Sequence, residues 1–471
     1  MKRVIIISAI LIHCLLVSSQ VGTAIIKGKV HSGNVKSVKV RYSDNQISQM
    51  IEYLEAPVDR LGQFELKIPV SQAAKGMIFT GDFVHDICLL PSDNFFVDID
   101  GDTIKYKGKG AEKNNFLYFI ELKGHQDRMY FNEINKCELS PKEFAIKMAR
   151  FRDERIVLFD EYFKSRPVEQ LFKEYFLAEN SAIYVQLIMN YPERYSYFNK
   201  VKKDSLELSD EYRKYNLLKN VVDDKMVLSD TYVNNLRNFL FTKSTELRKL
   251  NVKGDPFNIL MLDSLKGKTQ QYVMANWIYS DLSFDRLDTF IYDKFKKLDN
   301  DPLVIKTVDK ALEKYYQKRA LIGQPLNGNF INTQLEDTAG NAISFGKMME
   351  KFKGKVVYLD IWGLACGPCR GAMPYSKRVR EKLAGRPVEF VFLTIEGMDK
   401  KRWEEAFKVS LVKENHYRLS EGWQAPFLKF MAINWVPCYM IIDKEGKLAS
   451  YSAPNPFDEL GLESELVKLT K

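Results

Sequence analysis

Cysteine is scarce in this sequence, with six in 471 residues. A disulfide-stapled scaffold would carry far more, so that class is excluded. Histidine is scarcer still, at five. Neither a second Cys-x-x-Cys nor a short His–His spacing accompanies the one close thiol pair, Cys366 and Cys369. Structural zinc needs four such ligands, and the neighbourhood supplies only Cys438 and His416, 22 residues apart, so no metal is expected. Like charges never run for five or six residues. The formal charge of +9 is spread among interspersed acids, which describes a solvated mixed surface and excludes a nucleic-acid footprint. No apolar run reaches the ~20 residues that span a bilayer, and no fixed-period repeat marks a solenoid.

What is present begins with "MKRVIIISAILIHCLLVSSQVGTA". Lys2 and Arg3 lead into an apolar stretch from Val4 to Val17, followed by small and polar residues, the layout of a signal peptide. Val17 and Ser19 suit the cleavage positions, so residues 1–19 are read as the leader and Gln20 as the mature start. Cleavage is favoured over an uncleaved anchor, and over lipidation at Cys14, which His13 precedes poorly. Losing Lys2 and Arg3 lowers the formal charge from +9 to +7. Export to the periplasm or cell envelope follows, where disulfides can form.

A hydrophobic content of 45% and a charged content of 28% describe a folded chain, and its length implies several domains. From residue 20 to about 112, period-2 alternation dominates: Val38, Val40 and Tyr42; Phe64, Leu66 and Ile68; Phe95, Val97 and Ile99. Half-buried antiparallel strands of a β-sandwich-like domain are expected. From 113 to 318 the period becomes helical. Ser140, Pro141 and Glu143 form a capping box ahead of Phe144, Met148, Phe151, Leu158 and Tyr162 on one face. A second helix starts at Asp301, with Val308, Leu312 and Tyr315 inward. From 319 to 471, "KVVYLDIW" and "VEFVFLTIE" are buried strands separated by a helix, and "CYMIIDKEGKLASY" is a strand, a Gly turn and a strand, so an open α/β sheet is expected. The fold class is therefore multidomain α+β.

Cys366 stands just after a buried strand, at the start of the helix "CGPCRGAMPYSKRVREKL". Unpaired N–H groups and the helix dipole there stabilise a thiolate. Cys369, one turn in, would be shielded and would resolve a mixed disulfide. A static staple is a poor reading, because so short a loop removes little chain entropy. The pair is read as a redox dithiol.

The last third of the chain resembles the thioredoxin superfamily, in its exported TlpA/ResA-like branch. The resemblance rests on Gly323, Pro325 and Phe330, on "GKVVYLDIW" followed by "CGPCR" and Met373–Pro374, and on "INWVPCYMIIDKEGK". It implies a thioredoxin fold over 319–471, with Cys366 as attacking thiol and Cys369 as resolving thiol. Asp360 aligns with the buried acid that moves the resolving cysteine's proton. Trp362 matches the tryptophan packed behind the disulfide, and is counted with Gly367, Pro368, Val436 and Pro437 among the substrate-binding positions. Pro437 maps onto the cis-proline, and Glu396 onto an acid that exported relatives sometimes keep near the cysteines. Ala365 departs from the tryptophan often found before the first cysteine, so partner choice does not carry over.

The function expected is that of an exported protein thiol–disulfide oxidoreductase, reductase or isomerase, without a cofactor. Its partners would be disulfide-containing envelope proteins and an upstream membrane electron donor, with no nucleic acid. The rival is an envelope binding or scaffold protein whose thioredoxin domain is a presentation module. Cys438 is expected to be an inert core thiol. Cys88 and Cys137 are either paired or separately buried.

Overall fold

The computed structural model describes residues 22–31, 35–43, 45–47, 51–216, 221–249, 255–395, 401, 403–404 and 415–471. The expected leader and Glu396 lie outside them. The chain forms two compact units, one from Met1–Asp281 with Leu287–Asp309, the other from Leu282–Arg286 with Lys310–Lys471.

Alternation in the first unit produces eight strands: β1 (Gly22–Val30), β2 (Ser37–Ser43), β3 (Ile51–Pro57), β4 (Gln63–Val70), β5 (Ala74–Thr80), β6 (Phe83–Leu89), β7 (Asn94–Asp100) and β8 (Thr103–Lys109). They make two four-stranded sheets, ordered β4-β1-β7-β8 and β3-β2-β5-β6. Among the described residues the strands of these sheets pair antiparallel, except β1 with β7. Ala24, Ile26 and Val97 of one sheet and Val38, Val40 and Ile78 of the other share a single apolar core, so the sheets stack as a sandwich. Gly81 and Gly101 turn the β5–β6 and β7–β8 hairpins at φ 64° and 60°, a left-handed geometry that glycine adopts without cost.

Helices follow directly. In helix Pro141–Phe163 the Ser140 side chain accepts from the Glu143 N–H, and the Glu143 carboxylate accepts from the Ser140 N–H, closing the expected capping box. Asp301 caps the later helix, accepting from the Leu303 N–H at 2.8 Å, and Val308 and Leu312 are buried. Charged groups tie sandwich to helices within this unit. Lys75 of β5 reaches Asp127 at 2.6 Å and Glu179 at 2.9 Å, and Arg155 donates to Asp127 at 2.7 Å. Glu179 also accepts from Ser229 and Thr231, so its charge is fully hydrogen-bonded despite burial.

The second unit holds β9 (Gln334–Asp337), β10 (Ala342–Ser344), β11 (Val356–Trp362), β12 (Val388–Thr394), β13 (His416–Leu419), β14 (Cys438–Ile442) and β15 (Leu448–Ser450). They form one mixed sheet ordered β10-β9-β13-β12-β11-β14-β15. β11 and β12 run parallel, as do β12 and β13, while β11 and β14 are antiparallel. All seven residues of β11 are buried. Val357, Leu359 and Ile361 pack on one face of the sheet; Val356, Tyr358 and Trp362 pack on the other, beneath helices Gly367–Lys382 and Glu459–Leu469. By the same alternation Asp360 belongs to the Tyr358–Trp362 face.

Candidate active site

Cys366 is the N-cap of helix Gly367–Lys382, in extended backbone at φ −79° and ψ 100°. Its Sγ accepts the Cys369 N–H at 3.1 Å. That N–H is one of the orphan donors of the helix start, so sulfur does the work an Asp or Ser oxygen does in other caps. Pro368 sits in the first turn, where a missing N–H costs nothing. The helix continues through Pro374 to Lys382.

The two sulfurs are bonded, with S–S 1.97 Å and Cα–Cα 5.3 Å. Their surroundings differ. Cys366 is half-buried between exposed Ala365 and Gly367, whereas Cys369 is 1% exposed and packs with Met373, Trp362 and Tyr439. One sulfur is therefore accessible and the other is shielded.

Asp360 lies in the strand that delivers this helix and is 2% exposed. Burial alone pushes its carboxyl up from 3.8 to about 8. Its Oδ1 has no hydrogen-bond partner among the described residues, consistent with a carboxyl that holds its proton at neutral pH. Tyr439 stands directly across from it on β14.

The Val436–Pro437 peptide is cis. Because Ile361 pairs with Cys438, the residues before Cys438 continue past the end of β11, at the edge where the dithiol turn begins. Val436 packs against the clusters on both faces of the sheet, and Cys366 packs against the one that holds Cys369. Gly367, Pro368, Val436 and Pro437 are all at least partly exposed.

Trp362 corrects its grouping with the substrate-binding positions. It is 2% exposed, packed with Cys369 and edge-on to His416 at 6.1 Å, so it backs the disulfide and offers no surface to a substrate. His416 also stacks on Phe392 at 4.5 Å. Sequence reasoning missed this placement, because His416 sits on β13, two strands away from β11. Cys88, Cys137 and Cys438 are free and buried, and burial pushes the Cys88 and Cys438 thiols up to about 12.

A thioredoxin-like family model matches residues 354–448. Over 128 residues the chain is 30% identical to thiol-disulfide oxidoreductase ResA of Bacillus thuringiensis subsp. konkukian, covering 26% of this chain and 63% of that protein. ResA of Bacillus anthracis is 36% identical over 73 residues, covering 15% of this chain and 37% of that one. A putative thiol-disulfide oxidoreductase from Bacteroides vulgatus, solved by crystallography, aligns at 25% identity and TM-score 0.27, over 32% of this chain and 96% of its own. The chain thus spans somewhat under two thirds of the longest-matched curated relatives. Residues 354–448 form a thioredoxin-like domain, and the dithiol stands at the start of its first long helix.

Proposed function

We propose that the protein is an exported thiol–disulfide oxidoreductase that acts as reductase or isomerase on disulfides of cell-envelope proteins. The observation that carries this reading is the unequal pair: a half-exposed Cys366 at a helix N-terminus bonded to a shielded Cys369. In the reduced protein the Cys366 thiolate attacks one sulfur of a substrate disulfide, and the other substrate sulfur departs as a thiol. Cys369 then loses its proton and attacks Cys366. The mixed disulfide breaks, the intramolecular disulfide forms, and the substrate leaves with both sulfurs reduced. The helix dipole and the Cys369 N–H favour the Cys366 thiolate, and Asp360 is the acid–base group assigned to the Cys369 proton. No cofactor enters these steps.

The thiol-disulfide oxidoreductase names of the relatives support the same chemistry. Gly367–Pro368 between the thiols resembles the reducing members, so the dithiol must be recharged, and an electron donor at the membrane is the partner assigned to that task. Export rests on the leader-like start of the sequence. The protein should reduce insulin with dithiothreitol as electron source, and Cys366→Ser should abolish this; full activity in that variant would overturn the assignment. Cys369→Ser should trap mixed disulfides with envelope proteins, and a variant that captures nothing would favour a binding or scaffold role.

A further inference from the structure

Most of the exposed residues beside the half-buried thiol are small. Ala365, Gly367, Pro368 and Gly371 flank Cys366 and Cys369, with only Leu364 and Arg370 larger, and a Cβ built on Gly367 would meet nothing within 4 Å. Aromatic side chains able to discriminate between substrates come from elsewhere along the edge of the site. The register of β11 with β14 places Trp435 there, immediately before Val436 and Pro437, and Trp435 is only half-buried.

Trp435 is not alone. Phe284, 46% exposed, sets its ring edge-on to the indole at 5.0 Å between centroids and 67° between planes. It comes from Leu282–Arg286, a short segment far away in sequence that belongs to the same compact unit. The segment is held by specific contacts. The Phe284 carbonyl accepts from Ser452 at 3.3 Å, and Arg319 faces the mostly buried Asp285 carboxylate at 3.6 Å. Asp285 adopts φ 56°, a left-handed backbone that is uncommon outside glycine and has to be maintained by its surroundings. Arg286 lies over the Phe284 ring at 5.6 Å. The Phe284 ring is thus fixed against Trp435 while nearly half of it stays open to solvent.

We propose that Phe284 and Trp435 form a substrate subsite that takes an aromatic or large apolar side chain next to the substrate's cysteine. This rests on the dithiol reading above and names the class of substrate it selects. An extended peptide that brings a cysteine to Cys366 lies along the Val436–Pro437 edge, which runs continuously into Trp435. Two aromatic faces meeting at an angle form a notch that favours an aromatic or large apolar side chain over a small polar one.

The test uses the full mature chain, reduced with dithiothreitol and then desalted, so that its own dithiol is the electron donor. The substrates are two short peptides carrying one cysteine as a mixed disulfide with glutathione. One has phenylalanine on both sides of the cysteine, the other has serine. Cys366 attacks the peptide's sulfur, glutathione leaves as a thiol, and Cys369 closes the protein disulfide and frees the peptide thiol. The ratio of the two second-order rate constants should be about tenfold or more in favour of phenylalanine, the scale expected for burying one ring. Phe284→Ala should cut the ratio to about threefold or less, and Phe284→Tyr should restore it. Trp435→Leu reports from the other side of the notch, and melting curves check that each variant folds. A ratio unchanged in both truncating variants overturns the subsite. So does a wild-type protein that reduces hydroxyethyl disulfide but shows no preference. Failure on every disulfide, hydroxyethyl disulfide included, overturns the redox reading itself.

Discussion

Asp360 carries a stability cost as well as an assigned role. Its folded pKa, about 8, lies above its ordinary value of 3.8, so the folded protein binds a proton that the unfolded chain releases. The stabilising contribution is complete below pH 4 and is lost as pH rises through 8, at a rate of up to about 1.4 kcal/mol per pH unit. Asp360→Asn should therefore raise the melting temperature, with a gain that grows between pH 4 and pH 8. Titrating thermal melts of both proteins checks this, and parallel curves would place the carboxyl in a less apolar setting. The kinetic expectation runs the other way. Turnover in Asp360→Asn should fall several-fold at neutral pH and recover at higher pH, where hydroxide takes over the deprotonation of Cys369. In the wild type the resolving step should accelerate through about pH 8, an inflection that the variant should lack. The closeness of Cys366 and Cys369 was legible in the sequence because strand, turn and helix lie within a few residues of one another, whereas Asp360 was singled out by the family resemblance. The approach of His416 was not legible, since it depends on which strands become neighbours.

Helix Gly367–Lys382 begins on a residue that is its cap and, in the proposed function, the nucleophile, and substitutions can separate the two duties. Serine is a strong N-cap, so Cys366→Ser should remove thiol chemistry and leave the stability of the reduced protein nearly unchanged. Cys366→Ala loses both duties and should cost about 0.5–2 kcal/mol in chemical denaturation of the reduced protein. Equal stability of the two variants would mean that the sulfur contributes nothing to the cap. In helix Pro141–Phe163, Ser140→Ala should likewise cost about 1 kcal/mol, measurable as a lower urea midpoint at unchanged slope. These elements were readable in advance: Ser140, Pro141 and Glu143 spell a helix start, and the alternation of Phe95, Val97 and Ile99 spells a strand with one wet face. The register and order of the strands were not readable, because alternation fixes which face a residue occupies and leaves its partner strand open.

Across the whole molecule the two units meet different demands. In the first, Lys75 bridges Asp127 and Glu179, so Lys75→Met should destabilise that unit by about 1–3 kcal/mol, since Glu179 loses its cation while Asp127 keeps Arg155. The second unit includes Leu282–Arg286 and the end of helix Pro302–Arg319, where Lys318 lies over Tyr451 at 4.7 Å. A fragment starting at residue 320 omits both and should melt lower than one starting at residue 282. No local pattern around Phe284 announces this, because the segment acquires its neighbours only when Trp435 and Ser452 arrive from the far end of the chain. The three inert thiols bring a practical consequence. Cys88, Cys137 and Cys438 are sealed away while Cys366 and Cys369 stand at an opening, so a maleimide tag becomes a ruler of molecular state. Mass spectrometry of the mature chain should find no tag on the oxidised native protein and at most two on the reduced one. The full set of five should take the label only once the cores have come apart, so one spectrum would report oxidation state and unfolding together.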